Sequence, residues 1–84
     1  MKIFYYSKFK QQFKKLPKEV KSLAIKKEKI FRINPFDLHL KTHKLHGELG
    51  EFWAFSINYQ YRIIFDFADK NIIRFYAVGK HNIY

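Results

Sequence analysis

The chain has 84 residues, too few for more than one domain, so a single domain is expected over residues 1–84. It lacks cysteine, which excludes disulfides and thiolate chemistry, and no apolar run approaches the roughly 20 residues that span a bilayer, so a soluble cytoplasmic protein is expected. Seventeen Lys and Arg against seven Asp and Glu give a net charge of +10. That charge favours a polyanionic partner, nucleic acid before an acidic protein, although a solvated lysine-rich surface would have the same composition.

The N-terminal half predicts a strand followed by two helices. Residues 2–6 are aromatic and β-branched, which is typical of a strand. A helix with one apolar stripe follows and ends at Pro17, and a second helix is expected over about residues 18–33. Asn34-Pro35 ends the second helix, because a residue that precedes proline disfavours the α conformation. The lysine-rich outer side of this helical hairpin either binds RNA or is simply solvated.

The C-terminal half predicts a sheet. Apolar and polar residues alternate over 53–57 and 61–67, and a turn at 69–71 leads into a last strand over 72–78. The preceding segment, residues 39–46, is extended or loop-like. With that segment counted as a strand, the order is β-α-α-β-β-β-β. This order predicts an α+β fold in which the helical hairpin packs on one face of a small antiparallel sheet.

A segment rich in titratable groups lies between the two halves. The spacing of His39, His43 and His46 superficially resembles that of a zinc site, and Glu48 is the one nearby acid suited to help. Zinc sites usually include thiolate or carboxylate ligands, and the lysines between these histidines would repel a dication. No metal site is therefore expected here.

Chemistry on a phosphodiester suits these residues better. Cleavage of RNA needs a base for the 2′-hydroxyl proton, cations for the phosphorus oxygens and an acid for the leaving 5′ oxygen, and histidine and arginine can fill these roles. Side chains available for these roles or for stacking on bases are His43, His46, His81, Arg62, Arg74, Lys41, Lys44, Lys80, Trp53, Tyr59 and Tyr84. Each one taken singly has a structural explanation, such as the polar side of a strand for Arg62. Taken together in a chain of charge +10, they favour a site that binds or cleaves RNA.

Several short motifs resemble those of one family. In chain order they are Phe9 to Pro17 (Phe-x3-Phe-x2-Leu-Pro), Asn34-Pro35, Lys44-Leu-His-Gly47, Trp53-Ala-Phe-Ser-Ile57, Tyr61-Arg-Ile-Ile-Phe65 and Val78-Gly-Lys-His81. Their order and spacing resemble the RelE/ParE superfamily of toxins from bacterial type II toxin–antitoxin modules, most nearly its RelE-like and YafQ-like mRNA interferases. The resemblance implies a small antiparallel sheet with two N-terminal helices packed across it.

The resemblance also implies an activity and its partners. It implies an endoribonuclease that cleaves translated mRNA in the ribosomal A site without metal or cofactor, inhibits translation, and forms a hetero-oligomer with a cognate antitoxin. Arg62 matches a phosphate-contacting arginine, and His81 a basic position that is a catalytic histidine in some members. His43 matches a loop histidine of the YafQ-like branch, and Tyr84 lies near a functional Tyr or Phe. The residues expected to hold the RNA are Lys41, Lys44, His46 and Lys80.

The sequence also departs from the family pattern. Ala54 and Ser56 stand where RelE-like members can carry lysines, and Ala77 stands where some YafQ-like members place an arginine. The leading hypothesis assigns His81 as general acid, His43 or His46 as general base, and Arg62 as phosphate clamp. The alternatives are a ParE-like inhibitor of DNA gyrase, against which the histidines argue, and a non-catalytic RNA-binding relative.

Overall fold

The computed structural model describes residues 1–47 and 50–81. Its elements follow the predicted order of one strand, two helices and four further strands, with a short 3₁₀ turn, Leu38–Leu40, before the second strand. The elements are β1 Lys2–Tyr5, α1 Ser7–Lys14, α2 Lys18–Ile33, β2 His43–Lys44, β3 Trp53–Ser56, β4 Tyr61–Asp69 and β5 Ile72–Lys80. The predicted α+β class is confirmed.

The five strands form one sheet in the order β1-β5-β4-β3-β2. Strands β2 to β5 pair antiparallel with their neighbours, as predicted for the C-terminal meander. β1 joins at the far edge and runs parallel to β5, with Lys2 opposite Ile72 and Tyr5 opposite Phe75. The helical hairpin links β1 to β2 at the opposite edge of the sheet, so the chain crosses one whole face before the antiparallel strands return to β1.

Both helices pack on one face of the sheet and bury an aromatic core there. The Phe31 ring of α2 lies 4.9 Å from the Phe55 ring, 4.9 Å from the Phe65 ring and 5.5 Å from the Phe75 ring. All four side chains are fully buried. Aromatic burial on this scale is what allows so short a chain to form a core.

The second helix packs one apolar side against the sheet. Val20, Ala24 and Phe31 are buried there, and Lys27 donates from Nζ to the carbonyl oxygen of His39 at 3.0 Å. The lysine thereby fixes the 3₁₀ turn to the helix. Among the residues that the structure describes, no helix is long and apolar enough to cross a membrane.

The opposite side of the sheet, called here the open face, carries a second and smaller apolar cluster. Its buried members are Leu45, Ala54, Ile64 and Ala77, with Phe52 packed against them. A register shift gives β5 one extra residue here, because Ile64 pairs with Ala77 whereas Phe65 pairs with Phe75. Such a bulge lets neighbouring residues share a face, and the Tyr76 ring indeed lies 4.7 Å from the Phe52 ring on the open face.

Candidate functional site

Arg62 lies on the open face because of its place in β4. Its neighbours Tyr61 and Ile63 pack into the helix-covered core, and successive side chains of a strand point to opposite faces. Arg62 pairs with Ser56 of β3 on one side and with Gly79 of β5 on the other. Both flanking residues are small, and the guanidinium is buried at Nε while its Nη2 reaches His81.

The turn between β3 and β4 sets this register. The side-chain oxygen of Asn58 accepts hydrogen bonds from the backbone nitrogens of Gln60 and Tyr61, both at 2.8 Å. The backbone nitrogen of Ile57 donates to the Tyr61 carbonyl oxygen at 2.9 Å. Asparagine side chains commonly close turns in this way. The closed turn places Ser56 directly opposite Arg62.

His81 meets Arg62 just beyond the end of β5. Its Nε2 lies 2.7 Å from Nη2 of Arg62, across 19 positions of sequence. A guanidinium can only donate hydrogen bonds, so the imidazole nitrogen that faces it accepts, and the ring proton is on Nδ1. The structure thus joins two of the sequence-predicted site residues in direct contact.

Two small cavities share Tyr59 as a lining residue, and His81 lines the first of them. One, of about 340 Å³, is lined by Tyr59, Gln60, Lys80 and His81. The other, of about 120 Å³, is lined by residues that include Lys41, Ser56 and Tyr59. Tyr59 is 83% exposed between them, so its ring is available for stacking at the edge of the site.

Lys80 and Lys41 supply positive charge at the rim. Lys80 pairs with Tyr61, and its Nζ lies 6.0 Å from the centroid of the Tyr61 ring. Lys41 ends the 3₁₀ turn in a left-handed conformation, with φ of 52°. Because Tyr61 packs into the helix-covered core, Lys80 is on the other side of the sheet from Arg62, although it lines a cavity with His81 at the end of β5. Lys41 lines the second cavity together with Ser56.

His43 also lies on the open face, at a greater distance. It pairs with Ala54, which in turn pairs with Ile64, two positions from Arg62. Regular strand spacing puts the Cα atoms of His43 and Arg62 about 12 Å apart. Nδ1 of His43 donates to the Lys41 carbonyl oxygen at 3.1 Å, because a carbonyl can only accept, and this leaves Nε2 as an acceptor.

Other predicted site residues are not gathered here. Lys44 pairs with Trp53, whose side chain packs against the helix-covered core, so Lys44 is on the other side of the sheet from Arg62. His46 is exposed beyond the end of β2. Tyr84 lies outside the described residues.

The histidine-rich segment does not form a metal centre in the described part of the chain. Over residues 1–47 and 50–81, no three His, Cys, Asp or Glu side chains are close enough together to hold a metal ion. Nδ1 of His39 instead lies 2.8 Å from the Asp37 carboxylate. Hydrogen bonds from the backbone and then the side chain of His39 lower the pKa of Asp37. His39 therefore serves the 3₁₀ turn.

Sequence reasoning missed Ser56. A serine inside a strand offered no nucleophile motif, and its position was noted only as one where related toxins carry a lysine. The loop between the strands contained the missing signal, because residues 58–60 are closed by the facing pair Ile57 and Tyr61, and loop length sets which residues face each other. Counting one step outward from that pair places Ser56 opposite Arg62.

Arg74, the second arginine considered from the sequence, belongs to a separate group. It donates to the Asp66 carboxylate through Nε at 2.9 Å and through Nη2 at 2.5 Å. Asp66 also accepts from the Tyr76 hydroxyl at 3.3 Å. The hydrogen bonds to Asp66 hold the pKa of Arg74 above its ordinary value, whereas burial is the main reason that the pKa of Tyr76 is raised.

Solved structures share this architecture although their sequences differ. No protein-family model and no curated protein matches the sequence. A YoeB/ParE toxin from Agrobacterium tumefaciens superimposes with a TM-score of 0.81 at 13% identity, covering 96% of this chain and 99% of that one. YafQ from Escherichia coli strain BL21(DE3) gives a TM-score of 0.75 at 23% identity, covering 94% and 91%.

A third structure contains a partner protein. The Escherichia coli DinJ–YafQ toxin–antitoxin complex gives a TM-score of 0.75 at 22% identity, covering 94% of this chain and 90% of the matched chain. The helices, the sheet and their order correspond along nearly the whole length. At these identities, the likeness establishes a shared fold.

Proposed function

Because the chain has the RelE/ParE-type fold, we propose that it is the toxin of a type II toxin–antitoxin module and acts as a ribosome-dependent endoribonuclease on mRNA. The observation that carries this proposal is the contact between Arg62 and His81, 2.7 Å apart on the open face. A guanidinium that can grip a phosphate and an imidazole that can transfer a proton lie side by side there. A fold alone would not support this chemistry.

In the proposed reaction, Arg62 binds the phosphate at which the RNA is cut. The 2′ oxygen of the preceding ribose forms a bond to phosphorus while the bond to the 5′ oxygen breaks. A base takes the 2′-hydroxyl proton, and an acid protonates the leaving 5′ oxygen. The products are a 2′,3′-cyclic phosphate and a 5′-hydroxyl end.

His81 is assigned as the acid. A phosphate on Arg62 takes over guanidinium N–H groups that otherwise face the histidine, and its negative charge stabilises an imidazolium beside it. His43 is assigned as the base, because its Nε2 is left as an acceptor. His81 touches Arg62 whereas His43 is set two strands away, so the loss of His81 is expected to be the more damaging.

The rim of the site holds the RNA in this proposal. Lys41 contacts a phosphate next to the cut, and Tyr59 stacks on a base. Lys80 shares the helix-covered side with Tyr61 and is left to add positive charge at the end of β5. The ribosome supplies the rest of the substrate's alignment, in keeping with a site that is an open surface. Ser56, opposite Arg62, offers a hydroxyl to the bound phosphate.

An antitoxin is the proposed protein partner. The YafQ chain of similar fold is found in a toxin–antitoxin complex with DinJ. A chain of charge +10 favours an acidic or amphipathic segment on its partner, and such a segment over the open face would exclude RNA. Hetero-oligomerisation with an antitoxin would then neutralise the activity.

The test uses induced expression of single variants, with mRNA 5′ ends mapped on ribosomes. His81→Ala is expected to slow cleavage about 10²- to 10⁴-fold, the usual range for loss of a positioned proton-transfer group. Arg62→Ala is expected to slow it about 10²- to 10³-fold, as for loss of a donor that stabilises developing charge. Arg32→Ala is the matched control, since Arg32 lies on α2 and pairs with Glu28 at 3.3 Å. It should cleave as the unaltered chain does.

Two results would overturn the proposal. One is intact ribosome-bound mRNA in cells arrested by the unaltered chain. DNA breaks in those cells would then favour the gyrase-inhibitor alternative. The other is full cleavage by both site variants, which would remove Arg62 and His81 from the chemistry.

A further inference from the structure

A groove around the outer edge of β1 lies well away from the Arg62–His81 pair. It has a volume of about 670 Å³ and is lined by residues of both faces of β1 and by Tyr6 just after it, with Phe4 and Tyr6 on the open face, and by Lys8 and Lys10 of α1. Phe4 pairs with Arg74, and Arg74 pairs with Asp66, four residues along β4 from Arg62. Regular strand spacing puts the Cα atoms of Phe4 and Arg62 about 16 Å apart.

Aromatic rings lead from this groove toward the middle of the open face. Phe4 is 56% exposed, and its ring lies edge-on to that of Tyr6 at 5.2 Å. The Tyr6 ring lies 4.4 Å from the Tyr76 ring, which in turn lies 4.7 Å from the Phe52 ring. Phe4 is thus held at the end of an aromatic row with over half of its surface in solvent, an arrangement suited to receive another flat ring.

The charge in and around the groove is positive. Lys8 and Lys10 line it and are exposed. The nearby acid of β4, Asp66, is neutralised by two hydrogen bonds from Arg74. The Arg74 guanidinium also lies 5.6 Å from the centroid of the Tyr76 ring, so its charge faces the aromatic row. A ligand in which a flat aromatic ring is joined to a negatively charged group complements this surface.

We propose that this groove is a second contact for the RNA strand that the Arg62–His81 site cuts. One base stacks on Phe4, and the adjoining phosphates lie against Lys8 and Lys10. The proposal rests on the proposed function, and it adds a subsite a few nucleotides away from the cut. Single-stranded nucleic acid is recognised by this combination of aromatic platforms with a cationic path for the backbone.

The test compares two lengths of 2′-O-methyl RNA, which lacks the attacking hydroxyl and so is not cut. A 3-nucleotide oligomer fits at Arg62 alone, whereas a 12-nucleotide oligomer also reaches the groove. Phe4→Ala is expected to weaken binding of the longer RNA about tenfold, the order of loss expected when one base no longer stacks on an aromatic ring, and to leave binding of the shorter RNA unaffected. Phe4→Trp should keep the affinity for the longer RNA.

Two controls match these changes. Phe67→Ala removes a phenylalanine, 38% exposed, whose ring packs on Trp53 instead of lining the groove, and it should leave both affinities unchanged. Lys10→Ala should reduce the salt dependence of binding to the longer RNA by about one phosphate contact. Lys29→Ala, an exposed lysine of α2, should leave that slope as it was.

The outcomes separate the groove from the nuclease. If Phe4→Ala and the unaltered chain bind the longer RNA with equal affinity, the groove is not an RNA contact. The same conclusion follows if Phe4→Ala loses equal affinity for the longer and the shorter RNA. It follows as well if the unaltered chain fails to bind the longer RNA. If the unaltered chain still cleaves mRNA in any of these cases, the proposed nuclease function is retained. A length-dependent loss in a chain that cuts no mRNA supports the groove and removes the nuclease.

Discussion

The two faces of this sheet are made by the same strands and obey different constraints. On the helix-covered face, β3, β4 and β5 contribute Phe55, Phe65 and Phe75, all fully buried around Phe31. On the open face, the same three strands contribute Ser56, Arg62 and Gly79 in one row. Alternation along each strand thus places the stabilising residues and the reactive residues one position apart.

This separation explains how so small a protein can keep a polar site. The core requires only that every second residue be large and apolar, so the residues between are available for other roles. Polar groups that stay at a surface also avoid the cost of burying them. A change on one face should therefore leave the other face working, and the predictions below test that independence from the largest effect to the smallest.

Phe31→Ala should have the largest effect on stability. Phe31 is fully buried and its ring lies within 5.5 Å of three other phenylalanine rings, so its removal leaves a cavity that the core cannot refill. We expect a loss of about 3–5 kcal/mol in the free energy of unfolding. Urea unfolding followed by circular dichroism measures it. Ile33→Ala, at an 88% exposed position of α2, should change it by less than about 0.5 kcal/mol.

RNA binding by Phe31→Ala tests whether the two faces are independent. Whatever fraction of Phe31→Ala remains folded should bind RNA at the open face with unchanged affinity. If the folded fraction has lost its affinity for RNA, the core sets the geometry of Arg62, and the two faces are not independent.

Asp66→Asn should cost far less, although it removes one partner of a bidentate ion pair. The Arg74 side chain is 37% exposed, so water can solvate the guanidinium once the carboxylate is gone. We expect a loss of about 1 kcal/mol or less in the free energy of unfolding. Glu51→Gln, at an exposed carboxylate, serves as the control. A loss comparable with that of Phe31→Ala would mean that the open face is as important to stability as the core.

The sequence predicted what is local and missed what is distant. The helix ending before Asn34-Pro35 and the turn at 69–71 were predicted because periodicity and turn chemistry act over a few residues. The parallel pairing of β1 with β5 was not, because its partners are 70 positions apart, as Lys2 and Ile72 are. No local pattern shows such a contact, and the bulge at Tyr76 was hidden for the same reason.

The candidate site shows the same difference between local and distant contacts. Arg62 and His81 were selected by their likeness to family motifs, since nothing local shows that residues 19 positions apart are in contact. The position of Ser56 was local and could have been found by counting from the turn. Lys44 was grouped with Lys41 because the two are close in sequence, whereas a strand sends neighbouring side chains to opposite faces.

Lys41 and Lys44 provide the smallest and most specific test of this separation. Both are exposed lysines three positions apart in the sequence, Lys44 within the edge strand β2 and Lys41 just before it. Lys41 lines the cleft beside Ser56, whereas Lys44 pairs with Trp53 and lies on the helix side. Lys41→Ala should weaken binding of 2′-O-methyl RNA several-fold and lower its salt slope by about one, as expected for one phosphate contact. Lys44→Ala should change neither, because the sheet stands between that lysine and the RNA. Equal losses of RNA affinity from the two substitutions would mean that binding depends on total charge and not on one face. The open face would then not be the RNA-binding surface.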